Sequence, residues 1–238
     1  MSGSRIAENL ASVRERIARA AARVGRDPRS VRLVVVTKGV GADLIREVVE
    51  AGADCLGENR VQEARQKLAV LGDLPVKWHM VGHLQTNKVK YVIGMFEMIH
   101  SLDRLSLAEE LDRRAGQRRT TVDVLVQANV SGEQTKFGVA PEETVEFIRQ
   151  VSRFEHVKVK GLMTMAPFVP DPELARPCFR RLRELADEVR REAVGGVDMD
   201  WLSMGMTNDF EVAIEEGANL VRIGTAIFGE RREPGGNH

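Results

Sequence analysis

Residues 31–41 read VRLVVVTKGVG, an apolar run of Val and Leu that ends on Lys38 beside two glycines. A run that is continuously apolar, rather than alternating, belongs to a strand buried on both faces, as in parallel sheets. A lysine at the end of such a strand either snorkels to the surface or is placed to do chemistry. An amine in a partly desolvated cleft loses part of its preference for the charged form, and a neutral amine adds to an aldehyde to give a Schiff base. Two later loops carry phosphate-binding residue types. SMGMTND (203–209) offers Ser203, Gly205 and Thr207 just ahead of a helical pattern, and RIGTAIFG (222–229) offers Gly224 and Thr225. Small residues let backbone N–H groups approach an anion, hydroxyls add donors, and a helix N-terminus adds a positive dipole end. Each loop alone is also compatible with an ordinary turn; the pair carries the inference. Arg222 lies inside an apolar strand, where its guanidinium must meet a carboxylate, a phosphate or a ring acceptor. A lysine opposite a phosphate cradle suits a phosphorylated carbonyl compound.

Other chemistry-bearing residues are weaker candidates. His79 and His83 stand four apart, but in a strand pattern, and Met80 occupies the position of the glutamate in HExxH, so no metal site is expected. Cys55 and Cys178 lack ligand spacing and read as reduced, buried thiols in a reducing compartment. Lys136, in a Gly-flanked loop, reads as a rim lysine, with a weak secondary aldehyde or phosphate role left open. Glu58 and Asp209 read as caps or ion-pair partners, and Met204 and Met206 as packing.

The elements that must position these residues follow from hydrophobic periodicity. Ile6, Leu10, Val13, Ile17 and Val24 recur at helical spacing over 5–24. Apolar runs then appear at 31–37, 53–57, 76–82, 95–101, 122–130, 157–164, 198–204 and 219–224. Helical patterns near 42–51, 59–70, 85–92, 104–115, 142–152, 173–193 and 208–216 separate them. Strict alternation of strand and helix implies parallel strands with right-handed crossovers, and this count at 238 residues is that of a (β/α)8 TIM-type barrel with an extra N-terminal helix. An open doubly wound sheet is the alternative, but no GxGxxG follows the first strand. After Phe228 the chain runs out in GERREPGGNH, so no helix is expected after the last strand, and the N-terminal helix is placed to fill that position in the ring. Residues 1–231 read as a single domain and 232–238 as a disordered tail. In a barrel the carboxyl ends of the strands form one ligand face. That places Lys38, Asn59, His83, Ser203 to Gly205 and Arg222 to Thr225 on one rim.

Composition narrows the function classes. The formal net charge is +0, without the field of a nucleic-acid or anionic-membrane binder, and the arginine-rich runs at 112–119 and 179–191 read as solvated helix faces, the second interleaved with acids. No apolar run reaches the roughly 20 residues of a membrane span. The N-terminus has no apolar signal region, and the cytosol is the expected compartment.

Several segments together resemble a known family: VVVTKGV, GENRVQE (57–63), WHMVGHLQTNK (78–88), IHSLDR (99–104), VLVQANVSGEQTKFGV (124–139), GLMTMAP (161–167) and LSMGMTNDFEVAIEEGANLVRIGTAIFGER (202–231). They are similar to the pyridoxal phosphate homeostasis proteins, single-domain relatives of the alanine racemase N-terminal barrel, and the resemblance runs from about residue 5 to residue 231. It implies that Lys38 forms the internal aldimine with pyridoxal 5′-phosphate (PLP). It also implies that Ser203, Met204, Gly224 and Thr225 hold the phosphate, that Arg222 faces the pyridine nitrogen, and that Asn59 and His83 line the pocket. Gly205 belongs to the same phosphate loop. The implied function is a monomeric PLP carrier that buffers the aldehyde or delivers it to PLP-dependent apoenzymes. Amino-acid racemisation is the alternative. It needs an acid or base on each face of the bound substrate, and Lys38 serves one; the sole tyrosine, Tyr91, sits in a helical stretch after the third strand. A Schiff-base aldolase fits the residues equally well, and only the resemblance sets it aside.

Overall fold

The short apolar runs become strands because β-branched and aliphatic side chains fit a pleated surface covered on both sides. The computed structural model describes residues 4–132 and 137–229. Its strands are β1 (Arg32–Val36), β2 (Cys55–Glu58), β3 (Lys77–Met80), β4 (Met98–Leu102), β5 (Val122–Gln127), β6 (Val157–Met163), β7 (Trp201–Ser203) and β8 (Leu220–Ile223). They pair in sequence order, all parallel, and β1 pairs with β8 to close the barrel, with Arg32 opposite Leu220 and Val35 opposite Ile223. The expected TIM-type barrel is present.

Helices α1 (Arg5–Arg23), α2 (Ala42–Glu50), α3 (Val61–Leu71), α4 (Leu105–Gln117), α5 (Pro141–Val151), α6 (Arg176–Arg191), α7 (Phe210–Glu215) and α8 (Thr225–Phe228) surround it. Between β3 and β4 the chain forms a 3-10 segment, Thr86–Tyr91, in place of the expected α-helix. Thr86, Val89, Val92 and Ile93 are β-branched and lose side-chain freedom in an α-helix, and Gly94 then turns the chain at φ 77°.

The last unit corrects the sequence reading. A single helical turn, α8, does follow β8, and Gly229 ends it at φ 83°. The N-terminal helix nevertheless takes a place in the ring, packed against α7, α8 and α2. Ser4 caps α1 by accepting the Ala7 N–H at 3.3 Å, and Ile6, Leu10, Val13 and Ile17 are buried along one face. Fully burying a side chain of this kind contributes about 1.5–3 kcal/mol. Polar ties fix the seam: Asn9 Nδ2 donates to the Ile227 carbonyl at 2.9 Å, and Arg16 and Arg23 pair with Glu211 at 2.7 and 3.0 Å.

Strand period separates two apolar clusters. The larger lies between sheet and helices and includes Val35, Leu56, Val124, Val126 and Val221. The smaller takes the alternate positions Val34, Cys55, Val81, Met98, Leu125, Met163 and Leu220, and fills the barrel interior. Both cysteines are buried, and burial pushes the Cys55 thiol up to about 12. Among the described residues no helix is long and apolar enough to cross a membrane. Residues 232–238 lie outside the described residues, as does Lys136.

Candidate functional site

A cavity of about 570 Å³ opens at the carboxyl ends of β1, β2, β7 and β8. Lys38, Asn59, Arg222, Gly224 and Thr225 line it, so these expected residues do converge. Ser203, Met204 and Gly205 are buried in β7 and the loop that leaves it, without lining the cavity. His83 stands elsewhere. It faces a neighbouring depression with Asp103 and Arg104, stacks on Phe137 at 4.0 Å between ring centroids, and lies 3.4 Å from Asp103 Oδ2.

Lys38 is solvent-exposed rather than desolvated, at the mouth of the cavity. It follows Thr37 in a turn closed by the Val40 N–H on the Thr37 carbonyl at 3.0 Å. Gly39 takes φ 67° in the turn's third position, as in a type II turn, where a side chain would be strained. Asn59 lines the cavity, and its buried Oδ1 has no hydrogen-bond partner, an unspent acceptor or (with the amide flipped) donor beside it.

The β7 and β8 loops meet across the other wall. Gly205, at φ 92°, passes so close to α7 that a Cβ there would stand 2.6 Å from Ala213 Cβ and 2.9 Å from Phe210 Cα. Its carbonyl accepts the Arg222 N–H at 3.0 Å, which continues the β7–β8 pairing into the loop. The Thr207 hydroxyl reaches the Ala226 N–H at 3.4 Å, so the two small-residue loops touch where α8 begins. Asp209 also lines the cavity. Burial pushes its carboxyl up from the usual range, opposed by the Met206 N–H bond at 2.6 Å and by the charge of Arg222. Apolar side chains from the loop after β6, Met165, Phe168 and Val169, complete the wall, and Phe168 is 88% exposed at the lip.

Within the protein, Arg222 is held by neutral acceptors. Its Nη1 donates to the Ser203 hydroxyl at 2.5 Å and its Nη2 to the Thr164 carbonyl at 2.9 Å. Burial lowers its guanidinium to about 10, partly offset by Asp209. Behind Ser203 the chain of contacts goes deeper. Ser203 Oγ lies 2.9 Å from His100 Nδ1, and His100 Nε2 lies 2.9 Å from His79 Nδ1. Strand alternation explains the set, because His79, His100, Ser203 and Arg222 share parity with the interior residues Val81, Met98, Trp201 and Leu220. Both histidines are buried, and burial lowers His79 to about 3 and His100 well below its ordinary value, so both are neutral.

A second polar cluster stands behind Lys38. The Lys67 ammonium, on α3, donates to the Thr37 carbonyl at 2.5 Å, to Glu58 Oε1 at 2.7 Å and to Glu63 Oε1 at 2.6 Å. Thr37 Oγ1 donates to Glu58 Oε1 at 2.5 Å, and Glu63 Oε1 accepts the Gly39 N–H at 2.5 Å. Burial pushes the Glu58 carboxyl up, opposed by Lys67 and Thr37; for Glu63 burial is outweighed by the bonds from Lys67 and Gly39, which hold it low. The ion-pair reading of Glu58 is correct. The cluster itself escaped the sequence reading, although Glu63 and Lys67 stand at the i,i+4 spacing that brings helix side chains together.

The alanine racemase N-terminal domain family matches residues 8–232. The pyridoxal phosphate homeostasis protein of Aquifex aeolicus is 50% identical over 225 residues, 94% of this chain and 98% of that one. The chain belongs to the pyridoxal phosphate homeostasis protein family, on the alanine racemase N-terminal fold. Another member of the family, from Pseudomonas aeruginosa, is 42% identical over 232 residues, 96% of each chain. The PipY protein of Synechococcus elongatus PCC7942, solved with PLP bound, is 37% identical and superposes with a TM-score of 0.81, covering 94% of this family member and 100% of PipY.

Proposed function

We propose that this protein is a PLP carrier: it binds the cofactor in the β1–β8 cavity, tethers it to Lys38 as a Schiff base, and serves PLP homeostasis without catalysing a reaction of its own. The observation that carries the reading is the meeting of Lys38, the unpartnered Asn59 Oδ1, the buried Arg222 cation and the Gly224–Thr225 loop on one cavity. The cavity has the size of small-ligand sites and mixes an apolar wall with a few convergent polar groups. PLP in the related PipY structure supports the same ligand here.

When bound, the cofactor supplies an electrophilic aldehyde and an electron-withdrawing ring. The rest is the work of this chain. Lys38 would supply the amine that joins the aldehyde carbon, its two N–H protons leaving with the carbonyl oxygen as water. Backbone N–H groups at the start of α8 and the loop hydroxyls Thr207 and Thr225 hold the phosphate, with Ser203, Met204 and Gly205 forming the rigid floor of that loop. Asn59 anchors a polar edge of the ring, and His83, one depression away, borders the entrance. Arg222 faces the ring nitrogen as a cation, which disfavours protonating that nitrogen and keeps the ring a weak electron sink.

Racemisation needs a second acid or base. Tyr91 lies on the 3-10 segment after β3, half-exposed, with the Arg65 guanidinium 4.4 Å above its ring, and does not line the cavity. Among the described residues that line the cavity Asp209 supplies the carboxylate, and its Oδ1 is committed to the Met206 N–H. The recipients of the cofactor are PLP-dependent apoenzymes, and the carrier acts as a cytoplasmic monomer. The test is spectral and chemical. The purified protein loaded with PLP shows the visible band of a lysine-bound aldehyde, borohydride fixes the label on Lys38, and both are lost in Lys38→Ala. A band that survives in Lys38→Ala, or enzyme-like turnover of a single amino-acid enantiomer, overturns the reading.

A further inference from the structure

Lys38 projects from a turn whose two flanking peptide groups are both held from outside the turn. The peptide before it offers the Thr37 carbonyl, which accepts Lys67 Nζ at 2.5 Å as well as the Val40 N–H at 3.0 Å. The peptide after it offers the Gly39 N–H, which donates to Glu63 Oε1 at 2.5 Å. Glu63 and Lys67 are one helical turn apart on α3 and bond each other at 2.6 Å. Lys67 is 10% exposed in its side chain, and its three N–H groups are spent on Thr37, Glu58 and Glu63. An ammonium buried so far from water is retained only where its acceptors are complete.

We propose that Glu63 and Lys67 are positioning residues for Lys38, a clamp from α3 that fixes the Lys38 backbone so that its exposed side chain reaches the ligand aldehyde from a constant origin. The proposal rests on the carrier reading above. A long side chain with several rotatable bonds reaches a reacting carbon efficiently only when its attachment point is fixed, because orientation supplies much of the rate of such an addition. The clamp acts on the reaction of the amine and not on the affinity of the phosphate loops, which lie across the cavity on β7 and β8. Glu63 is the member to change, since its side chain is 26% exposed and Glu58 is fully buried.

The experiment compares two ligands: PLP, and 4-deoxypyridoxine 5′-phosphate, which keeps the ring and phosphate but has no aldehyde. In Glu63→Ala the rate at which PLP becomes bound to Lys38 falls about tenfold or more, the consequence of losing the two charge-assisted bonds from Gly39 and Lys67. The affinity for the aldehyde-free analogue stays within about threefold of wild type, since no interaction with it is removed. Glu63→Gln keeps an oxygen for the Gly39 N–H and recovers most of the rate. Glu63→Asp keeps the charge but falls short of Gly39 and is slow, and it serves if Glu63→Ala does not fold. Wild-type rates in both Glu63→Ala and Glu63→Asp, or an analogue affinity that falls in step with the rate, overturn the clamp. Lys38→Ala separates the two readings: covalent capture of PLP by that variant sinks the Lys38 assignment itself, whatever Glu63 does.

Discussion

Arg222 and Ser203, both buried inside the barrel, are joined by a 2.5 Å bond in which the guanidinium can only donate. That one constraint orders everything behind it. Ser203 Oγ accepts from Arg222, and His100 Nδ1 is the acceptor that stands within reach of its own hydrogen among the described residues. His100 therefore carries its proton on Nε2 and donates to His79 Nδ1, and His79 carries its proton on Nε2. That last N–H has no hydrogen-bond partner; it points toward Glu97 Oε1 at 4.0 Å, at the amino end of β4. Both histidines are thus predicted to be Nε2–H tautomers between pH 5 and 8. Long-range proton–nitrogen NMR correlations check this, and a protonated Nδ1 on His100 would reverse the direction of the chain.

Acid should unfold the protein through the same histidines. Their folded pKa values are depressed by burial, to about 3 for His79, below the usual value near 6.5. Between those values the unfolded chain binds more protons than the folded one, so stability rises with pH. The contribution is complete above about pH 6.5 and is lost as pH falls toward 3, at up to about 1.4 kcal/mol per pH unit for each histidine. Denaturant titrations from pH 7 to pH 4 measure the slope. In His79→Gln it should be shallower.

Ser203→Ala removes the acceptor of a buried cation and the donor to His100 together. The expected loss is about 1–3 kcal/mol of stability. Urea unfolding gives the number, and the His100 tautomer should become mixed in the same variant.

Lys67→Met strands the Glu58 carboxyl, which is fully buried, without its cation. Breaking such a pair from one side costs about 3–5 kcal/mol, whereas removing both charges is far milder. Lys67→Met combined with Glu58→Gln should therefore be more stable than Lys67→Met alone. A thermal-melt comparison of the single and double variants tests the order.

Gly205→Ala places a Cβ 2.6 Å from Ala213 Cβ at a backbone φ of 92°. The strain is expected to cost about 1–3 kcal/mol and to shift the 206–209 loop against α7. Lys38→Ala is the contrasting case: the side chain is exposed, and its removal should leave stability within about 0.5 kcal/mol. Melting curves of the two variants should separate widely.

The barrel was legible in the sequence because each strand is a short apolar run with turn residues after it, and one period serves the whole chain. The site was legible where chemistry stands at a strand end. Lys38, Arg222, Gly224 and Thr225 could be placed on one rim by topology alone. What escaped was set by direction within the wall. His100 is one residue in an apolar strand, and only pairing with its neighbours reveals that its parity faces inward, toward Ser203. Ser203 was read as a hydroxyl donor in the loop between β7 and α7, and the contacts its hydroxyl makes with Arg222 and His100 were not legible from that. His83 shares the inward parity of His79, yet it stands past the end of β3, where the chain has already turned toward Phe137. The Glu63–Lys67 clamp was hidden by ordinary spacing, since helical i,i+4 pairs are common and nothing in the sequence says that this one reaches back to the β1 turn.

The seam between α1 and α8 has a consequence for how the chain is made. Asn9 bonds the carbonyl of Ile227, a partner 218 residues further on. During synthesis α1 precedes α7 and α8, so much of the surface it covers exists only after they have followed. The part of its apolar stripe that meets α7 and α8 must wait for them, and the β1–β8 joint must wait with it. Helix α1 is therefore among the last of these elements to dock fully, and the ring closes only when β8 and α8 have been synthesised.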